Sequence, residues 1–156
     1  MRAKRSARDR LVREHSPVAL LLVDVINDLS FPGGRALAQQ TPEMTKRIAA
    51  LKRRARKAGI ATIYVNDNFG RWRSDFRAMV NHCCGARMPG RQMVHRLRPT
   101  RRDYFVLKPM HSGFHATTLK TLLDYLETRT VILTGIAGDN CILFTAADAK
   151  MLLYSV

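Results

Sequence analysis

The stretch VALLLVD, residues 18–24, decides the fold. Its valines and leucines follow one another with no polar alternation and stop at an aspartate. A strand with one wet face alternates apolar and polar side chains, whereas a strand covered on both faces of a parallel sheet carries an unbroken apolar run. The run is also far too short to cross a bilayer. It predicts a central buried strand that ends at Asp24.

The same signature recurs on moving outward. ATIYVND (61–67), DYFVLKP (103–109) and TVILTGI (130–136) read as three more buried strands, and LLYSV (152–156) as the start of a fifth. Helical patterns separate them. Thr41-Pro42-Glu43 has the form of an N-cap, a first-turn proline and a first-turn acid, and Met44, Ile48, Leu51, Ala55 and Ala58 then make one apolar stripe closed by Gly59. A helix is expected around residues 74–82, another from Thr117 with Leu119, Leu122, Leu123 and Leu126 inward, and another from about Asp139 to Lys150. The rest of the Arg-, Gly- and Pro-rich stretch 68–100 yields no further element. Strands alternating with helices predict an α/β fold, a three-layer αβα arrangement around a mostly parallel sheet.

Length and composition bound the domain organisation. A chain of 156 residues matches one domain. Residues 1–16 carry six Arg or Lys against two acids and read as a basic extension, with the domain over 17–156. The sequence stops within the fifth strand, before any covering helix, so the C-terminal part of the domain is expected to be missing. An uncovered sheet edge favours self-association, and a homo-oligomer is expected.

The formal net charge is +15, which raises the question of a polyanionic partner. Residues 46–59, KRIAALKRRARKAG, place seven basic residues around the apolar stripe. A solvated outer face explains them, and no aromatic interleaving accompanies them, so nucleic acid is not favoured as a partner. Three cysteines without framework spacing, no signal peptide and no membrane span point to the cytoplasm. Adjacent Cys83 and Cys84 cannot easily aim both sulfurs at one ion, and no second pair exists, so neither a metal nor a cofactor is expected.

In an open α/β sheet, ligands sit beyond the carboxyl ends of the strands. Asp24, Lys108 and Cys141 each fall at such an end. Taken singly, Cys141 reads as a small core residue, Asp24 as a turn former and Lys108 as a solvated strand-end lysine. Their joint position points to chemistry. A helix N-terminus and a nearby ammonium are expected to lower the Cys141 thiol pKa, and Asp24 can accept the thiol proton. The GIAGDNC turn, small at Gly135, Ala137 and Gly138, can direct backbone amides at an oxyanion.

Three segments then resemble a known family. VDVINDLSFPGG is similar to the opening motif of the isochorismatase-like hydrolases, FVLKPMHSGFHATTL to their lysine motif, and TGIAGDNCILFTAADA to their cysteine motif, in order and spacing from about Val18 to Val156. The resemblance implies a Rossmann-like sheet of order 3-2-1-4-5-6 and a Cys-Asp-Lys triad on Cys141, Asp24 and Lys108. It also implies a non-proline cis peptide at Ile136-Ala137, beside the oxyanion site. Nicotinamidases of this family hold a metal with an Asp and histidines after the second strand. Here Asp67 remains in VNDNFGRWRSDF with no histidine nearby, so a metal is again not expected.

The expected function is cysteine-dependent hydrolysis of a small-molecule amide C–N bond. One alternative is isochorismatase-type enol-ether hydrolysis, and another is a non-catalytic basic module binding polyanions. Phe31, Trp72 and Phe114 are candidates for an apolar substrate wall, and His111 and His115 bracket the lysine motif.

Overall fold

Leu20, Leu21 and Leu22 have no exposed surface, because their strand lies between two others in the middle of a sheet. A computed structural model describes residues 14–73 and 75–156. Most of the basic extension, and Ser74 at the start of the helix expected over 74–82, lie outside the described residues.

The elements run β1 (Val18–Val23), α1 (Gly34–Lys57), β2 (Ala61–Asp67), α2 (Phe76–Cys83), α3 (Arg91–Arg96), β3 (Tyr104–Lys108), α4 (Leu119–Tyr125), β4 (Thr130–Gly135) and α5 (Cys141–Met151). The strands form one all-parallel sheet ordered β3-β2-β1-β4. Alternate residues of β1 serve opposite faces. Leu20, Leu22 and Tyr64 pack with Ile48, Ala55, Phe76, Met79, Met93 and Val94 of α1, α2 and α3. Ala19, Leu21, Val23, Ile63 and Val65 pack with Leu119, Leu123 and Ala149 of α4 and α5. The result is a three-layer α/β domain. Truncating a β1 leucine to alanine here costs about 2–5 kcal/mol through lost contacts and the cavity left behind.

Some boundaries differ from the sequence reading. Helix α1 starts at Gly34 and carries Pro42 inside it, so Thr41 is not an N-cap. Pro42 has no N–H to offer the Ala38 carbonyl, and the buried Thr41 hydroxyl donates to that carbonyl instead, at 2.9 Å. Helix α3 has no counterpart in the sequence reading; its six residues are too few to display a period. The fifth strand is reduced to one parallel bridge, Ser155 to Thr130, because α5 runs to Met151 and a turn follows. Ser16 does not behave as part of a solvated arm. It is buried, its hydroxyl donating to the Val18 carbonyl and accepting from the Ala61 amide. Among the described residues, no helix is long and apolar enough to cross a membrane.

Candidate active site

Parallel strands deliver their carboxyl ends to one rim of the sheet. Asp24 follows β1, Asp67 ends β2, Lys108 ends β3 directly opposite Asp67 in register, and Gly135 ends β4 opposite Val23. Asp24 has φ 51, the left-handed region that aspartate tolerates better than most residues. That turn leaves its side chain at the sheet rim and lets Asp24 Oδ1 accept the Asp67 amide at 2.7 Å.

Lys108 is fully buried. Its Nζ lies 2.9 Å from Asp24 Oδ2 and 3.6 Å from Asp67 Oδ2. It donates to the Met110 carbonyl at 3.1 Å and to Cys141 Sγ at 3.4 Å. The Cys141 thiol also faces the Asp24 carboxyl group, whose charge acts on it. The three residues singled out from their strand-end positions therefore meet in one cluster, with Asp24 and Lys108 buried and Cys141 half-buried.

The turn bearing Cys141 depends on Gly135. Its φ is 135, and a Cβ there would lie 1.9 Å from the Val23 carbonyl oxygen, so no other residue fits without moving the two strands apart. The Ile136-Ala137 peptide that follows is cis. The Asn140 and Ile142 amides both donate to the Ala137 carbonyl, and Cys141 is the first residue of α5. Thr145 fastens the helix to the lysine loop, donating to the Cys141 carbonyl at 2.6 Å while accepting the Gly113 amide at 2.9 Å.

The electrostatics correct one expectation. Burial first, then the facing Asp24 carboxylate, push the Cys141 thiol up to about 11, and Lys108 offsets only part of this. The expected lowering by the helix end and the ammonium does not prevail, because burial and the facing Asp24 charge together outweigh the ammonium. Asp24 is itself raised by burial, although Lys108, Cys141 and the Asp67 amide pull it down. Burial works against the charged form of Lys108, but Asp24, Cys141 and Asp67 together outweigh it and raise that group. The resting site thus holds an ammonium, a buried carboxyl group and a protonated thiol.

Around this cluster the expected apolar wall is dispersed. Phe31 lines a cavity of about 220 Å³ with Phe69, Arg71, Met79 and His82. Trp72 is 76 % exposed. Phe114 stacks on Tyr154 at 5.9 Å and packs against the α4–α5 side of the core. His111 stacks on Phe144. The sequence reading gave Asp67 no part in the triad, although it ends β2 just as Asp24 follows β1, and that parallel was the available signal. Among the described residues, no group of three His, Cys, Asp or Glu side chains is arranged to hold a metal; His82 bonds Asp28 instead, at 2.8 Å.

The Isochorismatase domain family matches residues 18–156. An uncharacterized isochorismatase family protein, YaaI of Bacillus subtilis, is 42 % identical over 138 residues, covering 88 % of this chain and 75 % of that protein. The structure is similar to a cysteine hydrolase from Pseudomonas syringae pv. phaseolicola, with TM-score 0.67 and 27 % identity over 88 % of this chain and 68 % of the other. It is also similar to N-carbamoylsarcosine amidase from Thermoplasma acidophilum, with TM-score 0.62 and 26 % identity over 88 % and 78 % of the two chains.

Proposed function

The chain belongs to the isochorismatase family of hydrolases, and from that premise we propose that it cleaves a small-molecule amide C–N bond with Cys141, Asp24 and Lys108. The observation that carries this reading is the position of the Lys108 ammonium, 2.9 Å from a carboxylate and 3.4 Å from a sulfur. In the proposed cycle the Cys141 sulfur bonds the substrate carbonyl carbon while Asp24 takes the thiol proton. Backbone amides near Ala137 and Cys141 receive the oxyanion, and Lys108 keeps the charge balanced. Collapse of the tetrahedral intermediate breaks the C–N bond, with the proton on Asp24 passing to the leaving nitrogen. Water then attacks the thioester, gives a proton to Asp24, and releases the acid as the thiol is restored. The high thiol pKa suits this sequence, because proton transfer accompanies attack.

The test is an amide panel assayed with wild type and Cys141→Ala, with mass spectrometry for an acyl adduct on Cys141. Loss of turnover by about 10³-fold or more, together with the adduct in wild type, is expected. Amide cleavage that survives the substitution overturns the nucleophile. A second reading, enol-ether hydrolysis, draws on the raised pKa of Asp24, which favours a carboxyl group able to give a proton to a vinyl ether. Under it, Asp24→Asn abolishes turnover and Cys141→Ala spares it. The proposal also includes a homo-oligomer and a cytoplasmic location, the latter supported by the three free cysteines.

A further inference from the structure

The far edge of the sheet carries a second feature, lined by none of Asp24, Lys108 or Cys141. β3 is an edge strand, and its Phe105 is 55 % exposed. The ring lies nearly parallel to buried Phe76 of α2, with centroids 4.8 Å apart and 7° between planes. One face of Phe105 is thus backed by a fixed aromatic, and the residue stands at the wall of an open groove of about 780 Å³.

The groove is basic. Arg77, Arg98 and Arg101 line it, and none of their guanidiniums forms an ion pair or hydrogen bond with another described residue. Its acids are engaged elsewhere: Asp103 binds Lys52 and the Thr100 amide, and Asp75 accepts the Ala78 amide at the start of α2. Arg101 and Asp103 also line a neighbouring groove, where Arg56 and Arg102 add guanidiniums beside Glu14 and His15, the latter 3.4 Å from Glu127. The surface therefore combines a backed aromatic platform with several guanidiniums, in a chain of net charge +15.

We propose that this groove binds single-stranded nucleic acid, one base stacking on Phe105 while Arg77, Arg98 and Arg101 take flanking phosphates. Planar rings that stack on an aromatic and bear a phosphate at each step are the chemistry these two features share. The volume suits a nucleotide-sized unit, within the roughly 300–1,000 Å³ of small-ligand sites. The second groove extends the basic track beyond one unit, which favours a strand over a free nucleotide. No sequence pattern announces the site, because Phe76, Phe105 and the arginines come from separate segments.

The test is fluorescence anisotropy of the full chain with a labelled ten-nucleotide oligo(dT) across a salt series. Phe105→Ala leaves every charge in place, including those of the N-terminal residues, so it isolates stacking. It is expected to weaken binding roughly fivefold to a hundredfold with the salt slope unchanged, and Phe105→Trp to restore it. Arg98→Ala and Arg101→Ala are each expected to lower the slope by about 0.7. Unaltered affinity in Phe105→Ala overturns the proposal, as does equal competition by polyglutamate, which has no bases. A mononucleotide competing as well as the oligomer overturns the strand and leaves a nucleotide site. Retained amide hydrolysis in each variant verifies that the fold is intact, and if that hydrolysis is absent even in wild type, circular dichroism does so.

Discussion

Lys52 with Asp103, half-buried, and Lys108 with Asp24, buried, are both ammonium–carboxylate pairs, at 2.6 and 2.9 Å, yet their third partners differ. Lys52 also donates to the Tyr64 phenol, which donates onward to the Leu97 carbonyl, while Asp103 accepts the Thr100 amide. Every polar group in that network ends on a partner with no reaction open to it. Burial and the Asp103 charge hold the phenol far above its usual range, so its proton stays. At the other pair the third partner is a thiol held near 11 with a carboxylate beside it to receive its proton. The lesson is that an enclosed pair becomes a staple or a reactive centre according to what completes it. A buried ion pair by itself is weak testimony for either role.

The largest expected effect separates the two pairs by activity. Asp24→Asn keeps the shape of the carboxyl group but cannot take the thiol proton, and it should lower kcat/KM on the best amide by about 10²–10⁴. Asp103→Asn should leave kcat/KM per folded molecule unchanged. Equal activity in Asp24→Asn and wild type would erase the distinction between the pairs. The next effect separates them by stability. Asp103→Asn strips the charge from a network whose Lys52 side chain is only 15 % exposed. Urea unfolding should show a loss of about 2–3 kcal/mol. A loss under about 1 kcal/mol would mean that Lys52 reaches water and that no staple exists.

Lys108 adds a pH signature. Its folded pKa is raised above that of the unfolded chain, so its contribution is complete below the ordinary lysine value and fades as pH climbs through the folded one. The Cys141 thiol acts in the same direction, since the folded state keeps its proton up to about 11. Stability should therefore fall as pH rises above about 9, the ordinary value for a cysteine thiol. Thermal melts from pH 8 to 11 check this, and replacing Lys108 with Met and Cys141 with Ala together should lessen the decline, while the Cys83 thiol, pushed up to about 12 by burial, keeps part of it.

A smaller effect probes what completes the reactive pair. Asp67→Asn removes the second carboxylate on Lys108 and keeps the backbone amide that holds Asp24. Lys108 is then freer to favour a thiolate, and alkylation of Cys141 near pH 9, followed on its peptide by mass spectrometry, should run roughly three- to tenfold faster. Unchanged alkylation would show that Asp67 does not tune the pair.

Much of this was legible in the amino-acid order. The apolar run ending at Asp24 revealed β1, and three strand ends with complementary chemistry revealed the cluster, because burial on both faces and parallel pairing leave strong marks in a sequence. What escaped depended on contacts between distant segments. Thr41 looked like a cap because a proline followed it, and only the Ala38 carbonyl left without a donor shows its task. The direction of the thiol shift was misread because proximity to an ammonium along the fold says nothing of how deeply the sulfur is buried or that a carboxylate faces it. Phe105 read as an interior strand residue because its apolar run looks like that of a strand covered on both faces, although the implied strand order already put that strand at an edge.

The smallest effect belongs to a pair that nothing completes. Arg47 Nε lies 3.0 Å from Glu43 Oε1 one turn along α1, with side chains 80 % and 62 % exposed. This distance is close to that of the Lys108–Asp24 contact, so distance alone predicts a similar role. Solvation argues otherwise: water screens the attraction, and two long side chains must give up rotamers to hold it. Arg47→Ala should leave the urea midpoint within error of wild type, at low salt and at 0.5 M salt alike. A clear loss persisting at high salt would mean that ion-pair geometry carries the energy whatever surrounds it, and the contrast between the two enclosed pairs would lose its physical basis.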